Sequence, residues 1–108
     1  MASSLEFVQF VCEQLSDAGE IAFKRMFGEF GLYCDQKFFA TVEDDRLCVK
    51  ITDAGWALMP NATVIEPHAG ARYFYIEDLE DRDFLRELTL CTCAALPAPK
   101  PRKPKKGV

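Results

Sequence analysis

The side chains best suited to chemistry in this sequence are five cysteines and one histidine. The cysteines are Cys12, Cys34, Cys48, Cys91 and Cys93. Their number is odd, no secretion signal precedes them, and the last two lack the Cys-x-x-Cys spacing of redox and zinc motifs. His68 lies in a predicted loop without a second metal ligand at a suitable spacing. We therefore predict reduced cysteines that pack as small hydrophobic residues, and no metal site.

Catalytic and cofactor motifs are also missing from the sequence. It offers no nucleophile–base pair and no phosphate-binding loop, the arrangements that enzymes use for acyl and phosphoryl transfer. We predict a non-enzymatic protein with no catalytic residues and no cofactor. A binding role for a small molecule stays open, because a pocket needs few polar groups.

Charge is distributed unevenly along the chain. The formal net charge is −4, from 13 basic and 17 acidic residues. Five of the basic residues lie in the segment 97–108, so residues 1–96 carry 8 basic and 17 acidic residues and a net charge of −9. An acidic body repels phosphates, so any contact with nucleic acid is expected of the basic tail.

Composition divides the chain into one domain, residues 3–96, and a tail, residues 97–108. Proline and like charges favour an extended, disordered tail that is dispensable for folding, although its charge also permits docking on the acidic body. No apolar run reaches the length of a membrane helix, and the N-terminus does not resemble a secretion signal. We expect a cytoplasmic protein.

Periodicity predicts helices at both ends of the domain. Ser3-x-x-Glu6 has the pattern of a capping box, and the apolar spacing that follows indicates a helix that ends near Gly19. Asp78 or Asp81 is expected to begin the last helix, which Pro97 stops. Between the helices we predict five strands: one from residue 21, then 30–34, 37–43, 46–51 and 72–77.

Arg25 is an outlier in the first predicted strand. Alternation places it on the same side as the apolar residues Ile21, Phe23 and Phe27. Such an arginine packs its stem and directs its guanidinium to a polar partner. We predict that Arg25 is structural and pairs with a carboxylate or with backbone carbonyls near a bend at Gly28.

Alternation also assigns the two faces of the predicted sheet. The helices are expected to cover the side of Leu47, Val49, Phe74 and Ile76, because these are the purely apolar sides of two strands. The opposite face then carries a set of partner-binding candidates, joined by aromatic residues of other strands. These candidates are Tyr33, Phe39 or its neighbour, Lys50, Tyr73 and Tyr75. Tyrosines beside a lysine are typical of protein interfaces, and we predict a protein partner or self-association here.

Two short motifs resemble those of the TfoX N-terminal domain family. Arg25-Met26-Phe27-Gly28 and Gly31-Leu32-Tyr33 match its Met-Phe-Gly and Gly-Leu-Tyr segments, and Phe38-Phe39-Ala40 and Tyr73-Phe74-Tyr75 are similar to two of its strands. Two positions depart from the family pattern: Glu29 replaces a second glycine, and Gln36 stands where a hairpin glycine is common. The resemblance covers residues 4–96.

The resemblance implies an α+β fold in two layers, with a curved antiparallel sheet of about five strands packed by the N- and C-terminal helices. Full-length family members regulate competence for DNA uptake and carry a second, helical domain, for which this sequence has no counterpart. The resemblance supplies no catalytic residues. It implies a stand-alone regulatory or adaptor domain that acts through protein contacts. The alternative is a nucleic-acid-binding protein that uses the tail and the aromatic sheet face.

Overall fold

The computed structural model describes residues 3–26 and 28–97. Three helices and six strands follow one another, with a short 3-10 helix at Ser16–Ala18 after the first helix. In chain order they are α1 (Leu5–Leu15), β1 (Ile21–Met26), β2 (Glu29–Cys34), β3 (Lys37–Glu43), β4 (Arg46–Lys50), α2 (Asp53–Leu58), β5 (Thr63–His68), β6 (Ala71–Ile76) and α3 (Arg82–Ala95). The predicted tail lies almost wholly outside the described residues, and so does Phe27.

The six strands form one open antiparallel sheet in the order β1-β2-β3-β4-β6-β5. The predicted α+β class and antiparallel sheet are therefore confirmed. One sheet face and the three helices enclose a single core, and the residues predicted for that face, Leu47, Val49, Phe74 and Ile76, are all buried in it. Trp56 of α2 covers the edge of this core, where its ring meets Phe74 edge-on at 5.0 Å.

The strand count was predicted one too low, because β5 lies in a stretch whose prolines and glycine indicated irregular structure. Pro67 cannot donate a ladder hydrogen bond, but β5 is an edge strand, where the missing donor is tolerated. The register between β5 and β6 shifts between Ile65 and His68, at the position of the proline. A bulge at a sheet edge therefore accommodates a residue that argues against a central strand.

Side-chain caps define where the helices begin. Ser4, one residue later than predicted, caps α1 by accepting a hydrogen bond from the Phe7 amide at 3.1 Å. Ser3 does not cap the helix; its hydroxyl accepts a hydrogen bond from the Asp45 amide at 2.8 Å and so binds the β3–β4 turn. Asp81, one of the two predicted candidates, caps α3 through the Phe84 amide. No helix in the described part of the chain is long and apolar enough to cross a membrane.

Two hairpins contain non-glycine residues in the left-handed region. Asp35 and Gln36 have φ of 48° and 73° between β2 and β3, and Asp44 and Asp45 have φ of 55° and 53° between β3 and β4. Positive φ at both central residues matches the twist of antiparallel strands, but it is favourable mainly for Gly, Asn and Asp. Gln36 therefore holds a strained position in a tight turn, as its departure from the family pattern predicts.

Candidate binding site

The face of the sheet opposite the three helices carries the candidate site, and we call it the open sheet face. Thr41 and Cys48 lie at its centre, paired across β3 and β4, and are only 4% and 0% exposed. No helix of the described residues covers them, so side chains of the surrounding strands must shield them from water. The open sheet face thus has a buried floor at its centre.

A cleft of about 490 Å³ lies on this face along β3, between the β1–β2 hairpin and the strands β5 and β6. We call it the sheet cleft. It is lined by Met26, Glu29, Phe30, Phe38, Thr41, Glu43, His68 and Tyr73. Apolar and aromatic walls with a few polar groups are typical of ligand and peptide sites. The lining has two carboxylates and neither lysine nor arginine, so it favours a partner that brings positive charge.

Glu43 is the centre of a polar network in the sheet cleft. Its carboxylate accepts a hydrogen bond from the Thr41 hydroxyl at 2.9 Å and lies 2.9 Å from Nδ1 of His68. The Glu43 side chain is 12% exposed, whereas that of His68 is 51% exposed. The imidazole also lies beside the Tyr73 ring, with 6.1 Å between the centroids. The network presents a fixed carboxylate and a solvent-accessible imidazole to the cleft.

Glu29 forms the other acidic wall and ties three segments together. One carboxylate oxygen accepts from the Ser3 amide at 2.9 Å, and the other accepts from the Asp44 amide at 2.8 Å. The residue that replaces a family glycine therefore anchors the start of the chain to the β3–β4 turn. The bend itself is made by Gly28, whose φ is +81°.

Gly31 explains part of the glycine and methionine pattern noted in the sequence. A Cβ atom at Gly31 would lie 2.9 Å from Met26 Cε and 3.1 Å from a ring carbon of Phe38. The missing side chain lets Met26 and Phe38 approach each other across β2 and close over the sheet. The packing of the cleft wall therefore requires a glycine at position 31.

A second cleft, of about 300 Å³, lies at the other end of β3, and we call it the exit cleft. Its lining is Tyr33, Gln36, Lys37, Phe38, Lys50, Leu96 and Pro97. The rings of Tyr33 and Phe38 are 5.4 Å apart. Lys24 Nζ lies 5.4 Å from the Tyr33 centroid and Lys50 Nζ 4.5 Å from that of Phe38, so both lysines make cation–π contacts.

Burial suppresses the acidity of the groups beneath this face. Removal from water raises the pKa of the Cys48 thiol to about 11, and the Glu43 carboxylate adds to the effect. Burial, followed by the Glu43 charge, also raises the pKa of the Tyr73 phenol. Cys48 is a poor nucleophile under these conditions, because the thiolate is the reactive form.

The structure brings four of the five partner-binding candidates to the open sheet face. Lys50 pairs with Tyr73 and Cys48 with Tyr75 across β4 and β6, and Tyr33 pairs with Phe38. Tyr73 is only 8% exposed, whereas Tyr33 and Tyr75 are half-buried.

For the candidate predicted as Phe39 or its neighbour, the choice of Phe39 is wrong, because Phe39 is 0% exposed in the core beneath the helices. The cause is a register shift opposite Leu32 and Tyr33, where Tyr33 pairs with Phe38 and Leu32 with Ala40. The bulge leaves Phe39 as the extra residue and turns it inward. Its neighbour Phe38 occupies the open sheet face.

Arg25 has a different partner from the predicted one. Its guanidinium lies 5.0 Å from the centroid of the Phe30 ring, and no hydrogen bond or ion pair joins it to a carboxylate or carbonyl of the described residues. The side chain is exposed, although alternation sets it on the helix side of the sheet. Arg25 lies near the end of β1 and makes a cation–π contact with the Phe30 ring.

Sequence reasoning missed the polar half of the sheet cleft. Glu29, Glu43 and His68 lie in three separate strands, and nothing in their spacing indicates that they meet. The helpful signal was alternation, which sets Thr41 and Glu43 on the same strand face. The described residues contain no group of three or more His, Cys, Asp or Glu side chains able to hold a metal ion.

Comparison with known proteins gives two matches of different kinds. Residues 13–86 match the TfoX N-terminal domain family. The chain is also 37% identical over 107 residues to an uncharacterized 12.7 kDa protein in the trpE 5′ region of Spirochaeta aurantia, covering 97% of this chain and 93% of that protein. The family match spans well over half of the chain and includes the motifs around Gly28 and Gly31. This protein therefore belongs to the TfoX N-terminal domain family.

Proposed function

We propose that this domain is a cytoplasmic, non-enzymatic regulatory or adaptor module that acts through protein–protein contacts on the open sheet face. The observation that carries the proposal is the half-buried aromatic group Tyr33, Phe38 and Tyr75 on a sheet face without helices. Aromatic rings with polar tips provide most of the binding energy at many interfaces. The partner is a second copy of the chain or a regulatory protein.

Membership of the TfoX N-terminal domain family supports the regulatory part of the proposal. We propose a role related to that of its full-length members, which regulate competence for DNA uptake. The unreactive state of Cys48 and the hydrogen-bonded state of Glu43 favour binding over catalysis.

The test removes aromatic area from the open sheet face without touching the core. Tyr33→Ser combined with Tyr75→Ser is expected to change either the mass measured by light scattering or the set of proteins captured from a lysate of the native host. Phe10→Ser combined with Leu90→Ser is the matched control, because these side chains are 40% and 48% exposed on helices. A folded double-tyrosine variant with unchanged mass and partners would contradict the proposal.

A second candidate is single-stranded nucleic acid, and one observation favours it. Lys24 over Tyr33 and Lys50 over Phe38 combine cations with stacking surfaces, as single-strand binders do. The acidic sheet cleft beside them opposes a polyanion. Counterion release separates the candidates, because the affinity for an oligonucleotide falls steeply with salt concentration.

A further inference from the structure

Pro97, the last residue that the structure describes, lies beside the open sheet face. Lys37 Nζ donates to the carbonyl of Cys93 at 2.7 Å and of Leu96 at 3.4 Å, which ties the end of α3 to the start of β3. Pro97 is part of the exit cleft together with Phe38. The chain therefore leaves the folded domain at the Lys37 end of β3, next to the open face rather than on the helical side.

A continuous path leads from that point to the sheet cleft. Phe38 lines both clefts, and β3 runs from Lys37 in the exit cleft to Glu43 in the sheet cleft. The six residue steps of β3 span about 20 Å at the rise of a strand. A polyproline II segment rises about 3.1 Å per residue, so six or seven residues after Pro97 cover the same distance. Lys103, Lys105 and Lys106 are then within reach of Glu43.

The order of charges in the segment matches the order of charges along the path. Residues 97–99 are uncharged, and they start where Lys50 lies over Phe38. Five basic residues follow between positions 100 and 106, and the sheet cleft ahead of them holds Glu29 and Glu43. If lysines stood at the start of the segment, Lys50 would repel them, because both carry positive charge.

The walls of the path also suit a proline-rich segment. Pro97, Pro99, Pro101 and Pro104 favour the polyproline II conformation, which docks on aromatic grooves at a low cost in conformational entropy. Phe38 and Tyr73 line the path as aromatic walls, and Met26 adds an adaptable apolar wall. Lysines alternate with these prolines in the sequence, and their charge is opposite to that of the carboxylates in the sheet cleft.

We infer that residues 97–106 dock within their own chain along β3, with prolines against Phe38 and Tyr73 and with Lys103, Lys105 or Lys106 at Glu43 and Glu29. The segment then covers the surface that the proposed function gives to a partner, so a partner must displace it. The docking itself does not depend on the proposed function, and only the competition with a partner rests on it. Its test requires no partner, so the two proposals can fail separately.

Zero-length cross-linking of the full chain tests the docking. A carbodiimide joins a lysine amine to a carboxylate in direct contact, and the linked peptides are mapped by mass spectrometry at low micromolar protein concentration. We expect links from Lys103, Lys105 or Lys106 to Glu43 or Glu29 within monomers, several-fold more abundant than links to the exposed Glu13 and Glu87 of the helices. High salt during the reaction should reduce them, because screening weakens exposed ion pairs.

Nuclear magnetic resonance provides an independent readout that does not depend on chemical reactivity. Replacing Lys105 and Lys106 by Gln in the full chain should shift the resonances of Thr41, Glu43, Tyr73 and the single histidine ring. Resonances of α2, on the other side of the sheet, should not move. Arg86→Gln on α3 is the control for a change of net charge, and it should leave the sheet cleft unchanged.

Three results would overturn the inference. Links found only in cross-linked dimers would mean that the segment docks on a second copy. Links spread evenly over the acidic surface would mean that charge attracts the segment without a defined path. Unchanged resonances in the sheet cleft of the Lys105→Gln, Lys106→Gln variant would mean that the segment does not occupy it.

Discussion

At the scale of single residues, Gln36 has the backbone strain that is expected where the family commonly has a hairpin glycine. Its φ of 73° lies in the left-handed region, which costs a residue with a Cβ atom about 1 kcal/mol relative to glycine. Gln36→Gly is therefore expected to raise the free energy of unfolding by about 0.5–1 kcal/mol, because relief of the strain is only partly offset by the greater freedom of glycine in the unfolded chain. Urea unfolding monitored by Trp56 fluorescence measures this change.

Asp35→Gly is the matched control in the same turn. Its φ of 48° is also positive, but its carboxylate accepts a hydrogen bond from the Glu20 amide at 2.9 Å. Losing this bond offsets the relief of strain, so Asp35→Gly should not stabilise the protein. Equal stabilisation by both substitutions would show that strain alone governs the turn.

Arg25 is a second test at this scale, because its predicted ionic partner is replaced by an aromatic one. An exposed cation–π contact contributes about 0.5–1 kcal/mol, so Arg25→Ala should lower the melting temperature by a few degrees. Arg72→Ala, at another exposed arginine on a strand, is expected to change it less. A melting curve identical to wild type would mean that the contact with Phe30 contributes nothing to stability.

At the scale of elements, α3 depends on a residue from the sheet. Its last turn contains no basic residue of its own, and Lys37 supplies the charge that its C-terminal carbonyls favour. Lys37→Met keeps most of the apolar stem and removes the donor. We expect a loss of about 1–2 kcal/mol in the free energy of unfolding.

Hydrogen exchange locates that effect. Amides in the last turn of α3 should lose protection in Lys37→Met, whereas those of α1 should keep it. Lys50→Met is the control, because Lys50 contacts Phe38 on the open sheet face instead of a helix end. If Lys50→Met frayed α3 equally, the helix-capping role of Lys37 would be wrong.

At the scale of the whole molecule, buried thiols determine the response to alkaline pH. Burial raises the pKa of Cys12 and Cys48 to about 11, and that of Cys34, where Cys93 and Asp35 add to the effect, to about 12, all above the ordinary value of 9.0. The unfolded chain therefore loses these protons at lower pH than the folded one. Their stabilising contribution is complete below pH 9 and is lost as the pH rises through 9 towards 11.

We accordingly expect the free energy of unfolding to fall between pH 9 and pH 11. Urea unfolding at several pH values measures the slope, and Cys48→Ser should make it shallower, because a hydroxyl does not titrate in this range. The same slope in wild type and Cys48→Ser would contradict a contribution from Cys48.

Sequence alone determined the properties that depend on neighbours along the chain. Alternation predicted the buried face of Leu47, Val49, Phe74 and Ile76, and local side-chain chemistry predicted Asp81 as one of two candidate helix starts. The motifs around Gly28 and Gly31 indicated the family. These features follow from periodicity and capping, which residues a few positions apart are sufficient to produce.

Tertiary structure decided everything that depends on contacts across strands. A bulge exchanged Phe38 and Phe39 between the two faces, and an edge position let Pro67 belong to a strand. The carboxylate of Glu43 meets His68 only because six strands pair in one particular order. Register between strands has no periodicity to read in a single sequence, so the sheet cleft became visible only in the folded chain.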